Sequence, residues 1–332
     1  MTPAGRFLRD EILSQGPVPF RRFMEIALYH PEFGYYRRRR DPFGAGGDYY
    51  TASQLQPVYG ELVAERIRQL HRHLGSPADF CIVELGPGRG EMAAAFSGFR
   101  YYPVEAAGGE WPESFAGVVF CNEFFDALPV EVAVRRGGGF RNMLVGFEQE
   151  RFVWVEGPPV STEQAEYLGR YAAAAEEGAW VEINLEALRW VRRIASRLRC
   201  GFVFAVDYGY TAKEIIRYPR GTLMSYRRHV ACEDVLADPG EQDITAHICF
   251  TALEDCAREC GFQTLRFESL ARTLSEAGEP DGFAAALRGA TPAEQLRRRL
   301  LLKQLLFGMG EIFRTLILER RSGAGVVDAG GQ

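Results

Sequence analysis

Apolar and polar residues recur along most of the chain with the spacing of either helices or strands. Between Gln54 and Leu74 the apolar positions return every three to five residues, which predicts an amphipathic helix that Gly75 would end. Residues 184–199 have the same spacing and predict another helix on the same grounds. Buried strands are predicted from short apolar runs at 80–83, 101–104, 118–121 and 202–206.

Both ends of the chain carry further predicted elements. Residues 7–30 have the pattern of helical pieces that Pro17 and Pro19 interrupt. The long glycine- and tyrosine-rich stretch 34–54 predicts an ordered loop. The other predicted elements are a helix from Glu91, a hairpin over 144–155, helices with capping boxes at Thr251/Glu254 and Thr291/Glu294, and strands over 263–267 and 313–318.

The order of these elements predicts the fold class. Strands and helices alternate, which indicates an α/β fold with a mostly parallel sheet and helices on both faces. Sheets of this kind bind ligands at the carboxyl ends of their strands. The glycines, acids and amides that could carry chemistry all follow predicted strands, at 84–90, 105, 122–126 and 207–210.

Composition and charge limit the partners, metal sites and cellular compartments that we expect for this protein. The net charge of −5 gives no electrostatic reason to expect a nucleic-acid partner. The seven cysteines are odd in number and contain no CxxC pair, so we expect a reducing compartment and no metal site. No apolar run reaches the roughly 20 residues of a membrane span. The first 16 residues resemble neither a signal nor a transit peptide, so we expect a cytoplasmic protein.

A glycine-rich turn, ELGPGRG, follows the strand predicted at 80–83. Three of its residues lack a side chain and would let the backbone approach a ligand closely, namely Gly86, Gly88 and Gly90. A dinucleotide fold would have glycine at position 91, where this chain has Glu91. A structural turn without a ligand and a nicotinamide dehydrogenase are the alternatives.

Two acids flank this turn and favour S-adenosylmethionine as the ligand. Glu84 lies just before the glycines, where a carboxylate suits a sulfonium cation and an amino-acid tail. Glu105 ends the next predicted strand, where it could accept hydrogen bonds from both ribose hydroxyls. The acids and the glycines together are more specific than a glycine turn alone.

Several motifs together resemble the MidA-like family of class I S-adenosylmethionine-dependent methyltransferases. The resemblance covers residues 16–320 and implies a Rossmann-like methyltransferase fold with S-adenosylmethionine as cofactor. The mitochondrial member of that family methylates an arginine of a respiratory complex I subunit and supports assembly of that complex. We therefore expect a protein substrate, with a respiratory-complex subunit as a candidate. The motifs are GYY…DPFGAGGDYYTAS, VELGPGRGEM, CNEFFDALPVEV, VDYGY, RGTLMSYRRH, DITAHICFTAL and GMGEIF.

The resemblance also implies a domain layout. Residues 1–53 would form an N-terminal helical and loop extension that packs over the active site. Residues 54–321 would form the methyltransferase domain, with a small inserted hairpin at about 136–180. Residues 322–332 would form a disordered tail.

Two departures from the family pattern leave open a function other than methyl transfer. Ser53 and Gln54 stand where the family has a proline and a glutamate. Only residues 106–110 separate Glu105 from Trp111, too few for the crossover helix of the family. The loss of that helix would uncover one side of the adenosine pocket. A non-catalytic or weakly catalytic assembly factor that keeps the fold is therefore an alternative to an active arginine methyltransferase.

The stretch NEFFDALP holds the predicted catalytic residues. An arginine guanidinium must be held in plane by carboxylates and must lose a proton, and Glu123 and Asp126 could do both. Asn122 is predicted both to bind the cofactor and to hold the acceptor nitrogen in place. Phe124 or Phe125 could offer an aromatic face to the cation. In the alternative, one phenylalanine belongs to the core and Asp126 caps the following turn.

Other residues could complete the acceptor pocket. Asp207 and Tyr208 end a strand on the same side and are predicted to bind the substrate, although Asp207 could equally serve a turn. We expect His247 to be a hydrogen-bonded core residue. The charge run 37–40 is expected to be solvated.

Overall fold

The computed structural model of the protein describes residues 1–37, 55–227 and 230–321. Helices in these ranges are α1 (Pro3–Gln15), α2 (Phe20–Tyr29), α3 (Val58–His73), α4 (Thr162–Tyr171), α5 (Leu185–Arg197), α6 (Phe250–Glu259), α7 (Leu270–Gly278), α8 (Ala284–Leu287), α9 (Pro292–Gln304) and α10 (Gly310–Ile312). A π-helical turn over Leu305–Met309 joins α9 to α10. The expectations for 38–54, which include Ser53 and Gln54, and for the tail 322–332 lie outside the described residues.

Strands of the same ranges are β1 (Val18–Pro19), β2 (Cys81–Leu85), β3 (Arg100–Val104), β4 (Phe115–Asn122), β5 (Glu131–Arg136), β6 (Gly139–Glu148), β7 (Arg151–Pro159), β8 (Trp180–Ile183), β9 (Leu198–Asp207), β10 (Gly209–Tyr210), β11 (Met224–Arg227), β12 (Val230–Cys232), β13 (Asp243–Thr245), β14 (Ile248–Cys249), β15 (Gln263–Ser269) and β16 (Arg314–Arg320).

A six-stranded sheet in the order β15-β16-β9-β4-β2-β3 forms the centre of the fold. Strands β3, β2, β4 and β9 are parallel, while β16 runs antiparallel to both β9 and β15. The predicted mostly parallel sheet is confirmed. No described helix is long and apolar enough to cross a bilayer.

Helices cover both faces of this sheet because its central strands are apolar on both sides. In β4, Val119 and Cys121 belong to one core cluster, and Val118 and Phe120 belong to the other. The first cluster is completed by α4, α5 and α6. The second is completed by α3, α7 and the π-helical turn after α9. The predicted α/β architecture is therefore confirmed.

The insertion is larger than the hairpin that the sequence predicts. Strands β5, β6, β7 and β8 form an antiparallel sheet, and β1 of the N-terminal extension pairs with β6 in it. A separate apolar cluster unites the two regions and includes Leu8, Phe23 and Val145. The extension is therefore built into the insertion as one packed unit.

Local predictions differ from the structure in two places. Residues 91–99 form consecutive turns instead of a helix, with Ala93 and Ala95 each donating to the third preceding carbonyl. Thr251 does not cap α6, because its hydroxyl accepts the amide of Ala212 at 3.0 Å. Thr291 does cap α9, as predicted, and accepts the amide of Glu294 at 3.2 Å.

The predicted loss of the crossover helix after Glu105 is confirmed. Residues 106–114 contain turns and irregular backbone but no helical turn. The amide of Gly108 donates to the Glu105 carbonyl at 2.8 Å, which reverses the chain at once. The edge strand β3 is therefore followed directly by an extended return to β4.

Candidate active site

Four strands of the central sheet end side by side. Leu85, the last residue of β2, lies opposite Val104 of β3 and Cys121 of β4. Asn122 at the end of β4 lies opposite Val206 of β9. Because these strands are parallel, their carboxyl ends form one edge of the sheet. The structure thus brings together the residues that the sequence places after each strand.

The glycine turn lies tightly against its neighbours. Gly86, Gly88 and Gly90 all have positive φ angles, of 67°, 56° and 74°. The amide of Gly86 donates to the Val104 carbonyl at 2.9 Å. A Cβ atom on Gly86 would lie 2.9 Å from the Phe124 ring, so no other residue fits there without displacement.

Glu84 lies beneath this turn and not on its surface. Its side chain is buried and accepts a hydrogen bond from the Tyr101 hydroxyl at 2.6 Å. Burial raises the pKa of Glu84 to about 7, against a smaller lowering by the Tyr101 hydrogen bond. Glu84 can therefore support the turn electrostatically from below. No local pattern in the sequence indicated Tyr101 as the partner of Glu84.

Glu105 is exposed at the tip of β3, beside the glycine turn. Desolvation by neighbouring groups raises the pKa of this carboxyl, while Arg37 and the Gly88 amide lower it. An exposed carboxylate beside an open glycine backbone matches the hydroxyl donors of a ribose. The glycine backbone at 86–90 and the Glu105 carboxylate are groups that could hold S-adenosylmethionine.

The end of β4 is held by a hydrogen-bonded chain of side chains. The Tyr59 hydroxyl donates to Oδ1 of Asn122 at 2.5 Å, and Nδ2 of Asn122 donates to Glu123 at 3.0 Å. Glu123 has a φ of 51°, in the left-handed region, and its amide donates to the Val206 carbonyl at 2.9 Å. This conformation turns the chain sharply out of the sheet. Tyr59, at the start of α3, is a site residue that sequence analysis missed.

Phe124 and Phe125 lie in the core below the site. Both rings are buried, and they contact each other edge to face at 5.4 Å. Phe124 also packs against Trp190 of α5, with ring centroids 5.1 Å apart. The prediction that these rings offer a face to a substrate does not match this packing, because the apolar core encloses them. They support the loop from beneath.

The Asp207 carboxylate accepts backbone amides of the loop after β4 and is buried. Its side chain is 0% exposed. One carboxylate oxygen accepts the amides of Phe125 at 3.0 Å and Asp126 at 3.3 Å, and the other accepts the Tyr208 amide at 2.9 Å. The prediction that Asp207 binds the substrate does not match this burial. The alternative, an aspartate that holds a turn, matches it, and Asp207 is a positioning residue.

Asp126 is buried at the centre of an acidic cluster. It is 3% exposed, and its Oδ1 atom has no hydrogen-bond partner among the residues that the structure describes. Burial raises its pKa well above the usual aspartate range, and the charges of Asp207 and Asp243 raise it further. A buried carboxyl with an unoccupied oxygen is unfavourable unless a donor or a cation reaches it.

Tyrosines from distant parts of the chain surround this cluster. The Tyr208 ring packs against Phe313 in a tilted arrangement, with centroids 4.0 Å apart. Burial and then the charge of Glu123 raise the pKa of Tyr208. Tyr29 donates to the Ala127 carbonyl at 2.9 Å. Tyr36 donates to Asp243 at 2.7 Å. The glycine- and tyrosine-rich stretch that begins at residue 34 was the available signal for Tyr36.

His247 packs among aromatic rings close to Tyr208. Its ring stacks on Tyr208, with centroids 6.1 Å apart, and meets Tyr218 edge to face. Burial lowers its pKa, so the neutral form is favoured. Its Nδ1 atom is buried without a hydrogen-bond partner, which differs from the hydrogen-bonded histidine that we expected.

Comparisons with known proteins agree with this geometry. A family model described as "Putative S-adenosyl-L-methionine-dependent methyltransferase" matches residues 101–268. A crystal structure of a COG1565 superfamily member from Burkholderia thailandensis, bound to S-adenosyl-homocysteine, is 30% identical with a TM-score of 0.84. That match covers 96% of this chain and 92% of the other.

Curated relatives give more detailed names. The mitochondrial protein arginine methyltransferase NDUFAF7 homolog of Drosophila melanogaster is 28% identical over 316 residues, 76% of this chain and 70% of that protein. The mitochondrial protein arginine methyltransferase NDUFAF7 of Danio rerio is 26% identical over 314 residues, 76% and 71% of the two chains. The expectation of a cytoplasmic location is wrong on this comparison, because these relatives are named as mitochondrial proteins.

Proposed function

This chain belongs to the family of S-adenosyl-L-methionine-dependent methyltransferases, and we propose that it methylates the guanidinium of an arginine in a protein substrate. The cofactor is S-adenosyl-L-methionine. The names of the curated relatives support arginine as the acceptor. The resemblance to the MidA-like family adds a respiratory-complex subunit as a candidate substrate.

The cofactor would be held by the turn at 86–90 and by Glu105. When bound, S-adenosylmethionine supplies a methyl group on a positively charged sulfonium. The glycine backbone gives close approach, and Glu105 would accept the ribose hydroxyls. Glu84 lies just below the turn with Tyr101, where its negative charge would favour a nearby cation. Asn122, which Tyr59 holds by a hydrogen bond, would orient the acceptor nitrogen relative to the cofactor.

The vacant oxygen of Asp126 carries the proposal for the acceptor. Burial raises the pKa of Asp126, and the charges of Asp207 and Asp243 raise it further. Burial and then the charge of Glu123 raise the pKa of Asp207. Asp207 already bonds to three backbone amides, so Asp126 has the free hydrogen-bonding capacity. A guanidinium offers planar donors and a delocalised positive charge that such a carboxylate accepts well.

Asp126 and Glu123 would have different roles toward the acceptor arginine, one in positioning and one in proton transfer. Asp126 would hold the guanidinium in plane through its free oxygen. As the guanidinium nitrogen bonded to the methyl carbon, the carbon–sulfur bond would break and S-adenosylhomocysteine would leave with the electron pair on its sulfur. A carboxylate would accept the proton that the nitrogen loses. Glu123 is partly exposed and could pass such a proton to solvent. Tyr208 would line the slot beside them, because Glu123 and Asp126 both affect its pKa.

We propose that the N-terminal extension covers the acceptor side of the site. The hydrogen bonds from Tyr29 to Ala127 and from Tyr36 to Asp243 support this arrangement. The methyltransferase domain would then span residues 54–321, with the antiparallel insertion joined to the extension. A segment of substrate protein would enter between the extension and the strand ends.

A weakly catalytic assembly factor is the second candidate. Residues 106–114 contain no helix beside Glu105, which favours a less enclosed adenosine pocket than the family pattern implies. Weaker cofactor binding would follow from that exposure. Such a protein would still bind its partner through the acidic site.

Labelled methyl transfer tests the proposal. Purified protein with tritiated S-adenosylmethionine would be incubated with a mitochondrial lysate and the label located by mass spectrometry as methylarginine. We expect Asp126→Asn to lower labelling by about 100-fold. Its affinity for S-adenosylhomocysteine by calorimetry should not change. Asp79→Asn, an exposed aspartate paired with Arg199, is the matched control.

Three outcomes distinguish the alternatives. Equal labelling by wild type and Asp126→Asn would refute the site assignment. S-adenosylhomocysteine binding without any labelling by wild type would favour the assembly factor. Label found on a residue other than arginine would refute the proposed acceptor.

A further inference from the structure

The C-terminal helical segment carries large apolar side chains on its outer surface. Leu296 and Leu300 of α9 are 59% and 60% exposed, and Phe307 in the following π-helical turn is 78% exposed. Helix α9 has no fully buried residue, and Leu301 and Leu302 on its other side pack only partly against the core. Isolated exposed leucines are common, but two on α9 and an exposed phenylalanine in the following turn call for an explanation.

These apolar residues form one face together with basic residues. Residues spaced by four and by seven lie on the same side of a helix, which aligns Leu296, Leu300 and Phe307. The same spacing places Lys303 within this row. Arg297 and Arg299 flank the row on either side and are exposed. We call these six residues the basic-apolar face.

The charge of this face is opposite to that of the whole chain. The protein has a net charge of −5, yet α9 contains three arginines and one lysine against a single acid, Glu294. That acid pairs with Arg298 at 3.3 Å, on the side of the helix away from Leu300. The surplus positive charge therefore lies along the exposed apolar row.

We propose that the basic-apolar face binds the surface of an anionic lipid bilayer. A helix at a membrane interface places leucine and phenylalanine among the acyl chains and arginine and lysine at the head groups. Long basic side chains can extend to the head groups while their methylene stems remain in apolar surroundings. The apolar row at 296, 300 and 307 has Arg297 and Arg299 beside it and Lys303 within it, so both kinds of side chain reach one exposed surface.

The observations favour lipid over a second copy of this chain. In a two-fold dimer the face would meet itself and bring Arg299 and Lys303 near their own counterparts. Like charges so placed oppose association. The proposal is independent of the methyl acceptor and of the catalytic residues.

Vesicle flotation of the full chain tests the proposal. Wild type would be mixed with vesicles of 30% phosphatidylserine in phosphatidylcholine, or of phosphatidylcholine alone. We expect partitioning to the anionic vesicles to exceed that to neutral vesicles by about tenfold and to fall with added salt. Arg299→Glu with Lys303→Glu should remove this preference.

A second variant separates apolar insertion from charge. Leu300→Gln with Phe307→Gln should lower partitioning to anionic vesicles by about tenfold at unchanged charge. Lys213→Glu, at the only other lysine of the chain, is the matched control and should bind as wild type does. Circular dichroism and the melting temperature would show that each variant is folded.

Several results would overturn the proposal. One is equal partitioning of wild type to both vesicle types, or none to either. Another is wild-type binding by both double variants. Light scattering without vesicles is the third measurement, because a dimer that Leu300→Gln with Phe307→Gln converts to a monomer would make a second copy the occupant.

Discussion

The Asp207 side chain holds the backbone of Asp126: Oδ2 of Asp207 accepts the Asp126 amide at 3.3 Å. The same oxygen accepts the Phe125 amide at 3.0 Å. One carboxylate at the end of β9 thereby orients the loop after β4, in which the other carboxylate lies. The two acids have different roles because one bonds to backbone amides and the other keeps a free oxygen.

Removal of the Asp207 carboxylate should destabilise the protein. Asp207→Ala leaves the amides of Phe125, Asp126 and Tyr208 buried without their acceptor, and we expect a loss of about 3 kcal/mol in the free energy of unfolding. Asp207→Asn keeps an acceptor oxygen and should lose about 1 kcal/mol. Urea denaturation measures both. Asp79→Ala, at an exposed ion pair, should cost less than about 1 kcal/mol. Equal losses for Asp207→Ala and Asp79→Ala would contradict the positioning role.

Substitution of Gly86 should cost more than substitution of an equally left-handed glycine in open space. Gly86→Ala combines a positive φ with a Cβ contact of 2.9 Å to Phe124, and we expect a loss of about 3 kcal/mol. Gly137→Ala has a φ of 56° but no atom within 4 Å, and should lose about 1 kcal/mol. Thermal and urea unfolding would compare them. Similar losses would show that Phe124 does not constrain the turn.

Glu84 should make the protein less stable as the pH rises. Its pKa is about 7 in the folded protein and 4.5 ordinarily, so the folded state binds the extra proton between these values. Below pH 4.5 its contribution is fully present, and it is lost as the pH rises to about 7, by up to about 3 kcal/mol. Glu84→Gln should lack this slope, which urea denaturation from pH 4.5 to 8 would measure. A difference between wild type and variant that does not change with pH would contradict the assignment.

Glu105 should determine cofactor affinity. Glu105→Ala removes the exposed carboxylate proposed to accept the ribose hydroxyls, and we expect S-adenosylhomocysteine to bind roughly 30-fold more weakly. Glu110→Ala, at a nearby exposed glutamate, is the control and should leave the affinity unchanged. Calorimetry gives both dissociation constants. If both variants bind equally, the ribose assignment fails.

The sequence by itself determined the sheet, the family resemblance and the positions of the functional loops. Strand and helix periodicity depends on neighbours a few residues apart, so it can be read locally. The strands predicted at 80–83, 101–104 and 118–121 therefore overlap β2, β3 and β4, and the missing helix after Glu105 was also predicted correctly. The glycine turn and the acids beside it follow from the same local pattern.

Only the tertiary structure decided what each acid does. Glu84, Asp126 and Asp207 all follow or end apolar strands, and nothing local distinguishes them. Their roles depend on which groups reach each carboxyl: the Tyr101 hydroxyl for Glu84 and three backbone amides for Asp207. Oδ1 of Asp126 has no partner in the part of the chain that the structure describes. Hydrogen bonding and desolvation are set by contacts between residues far apart in the chain, which periodicity does not encode.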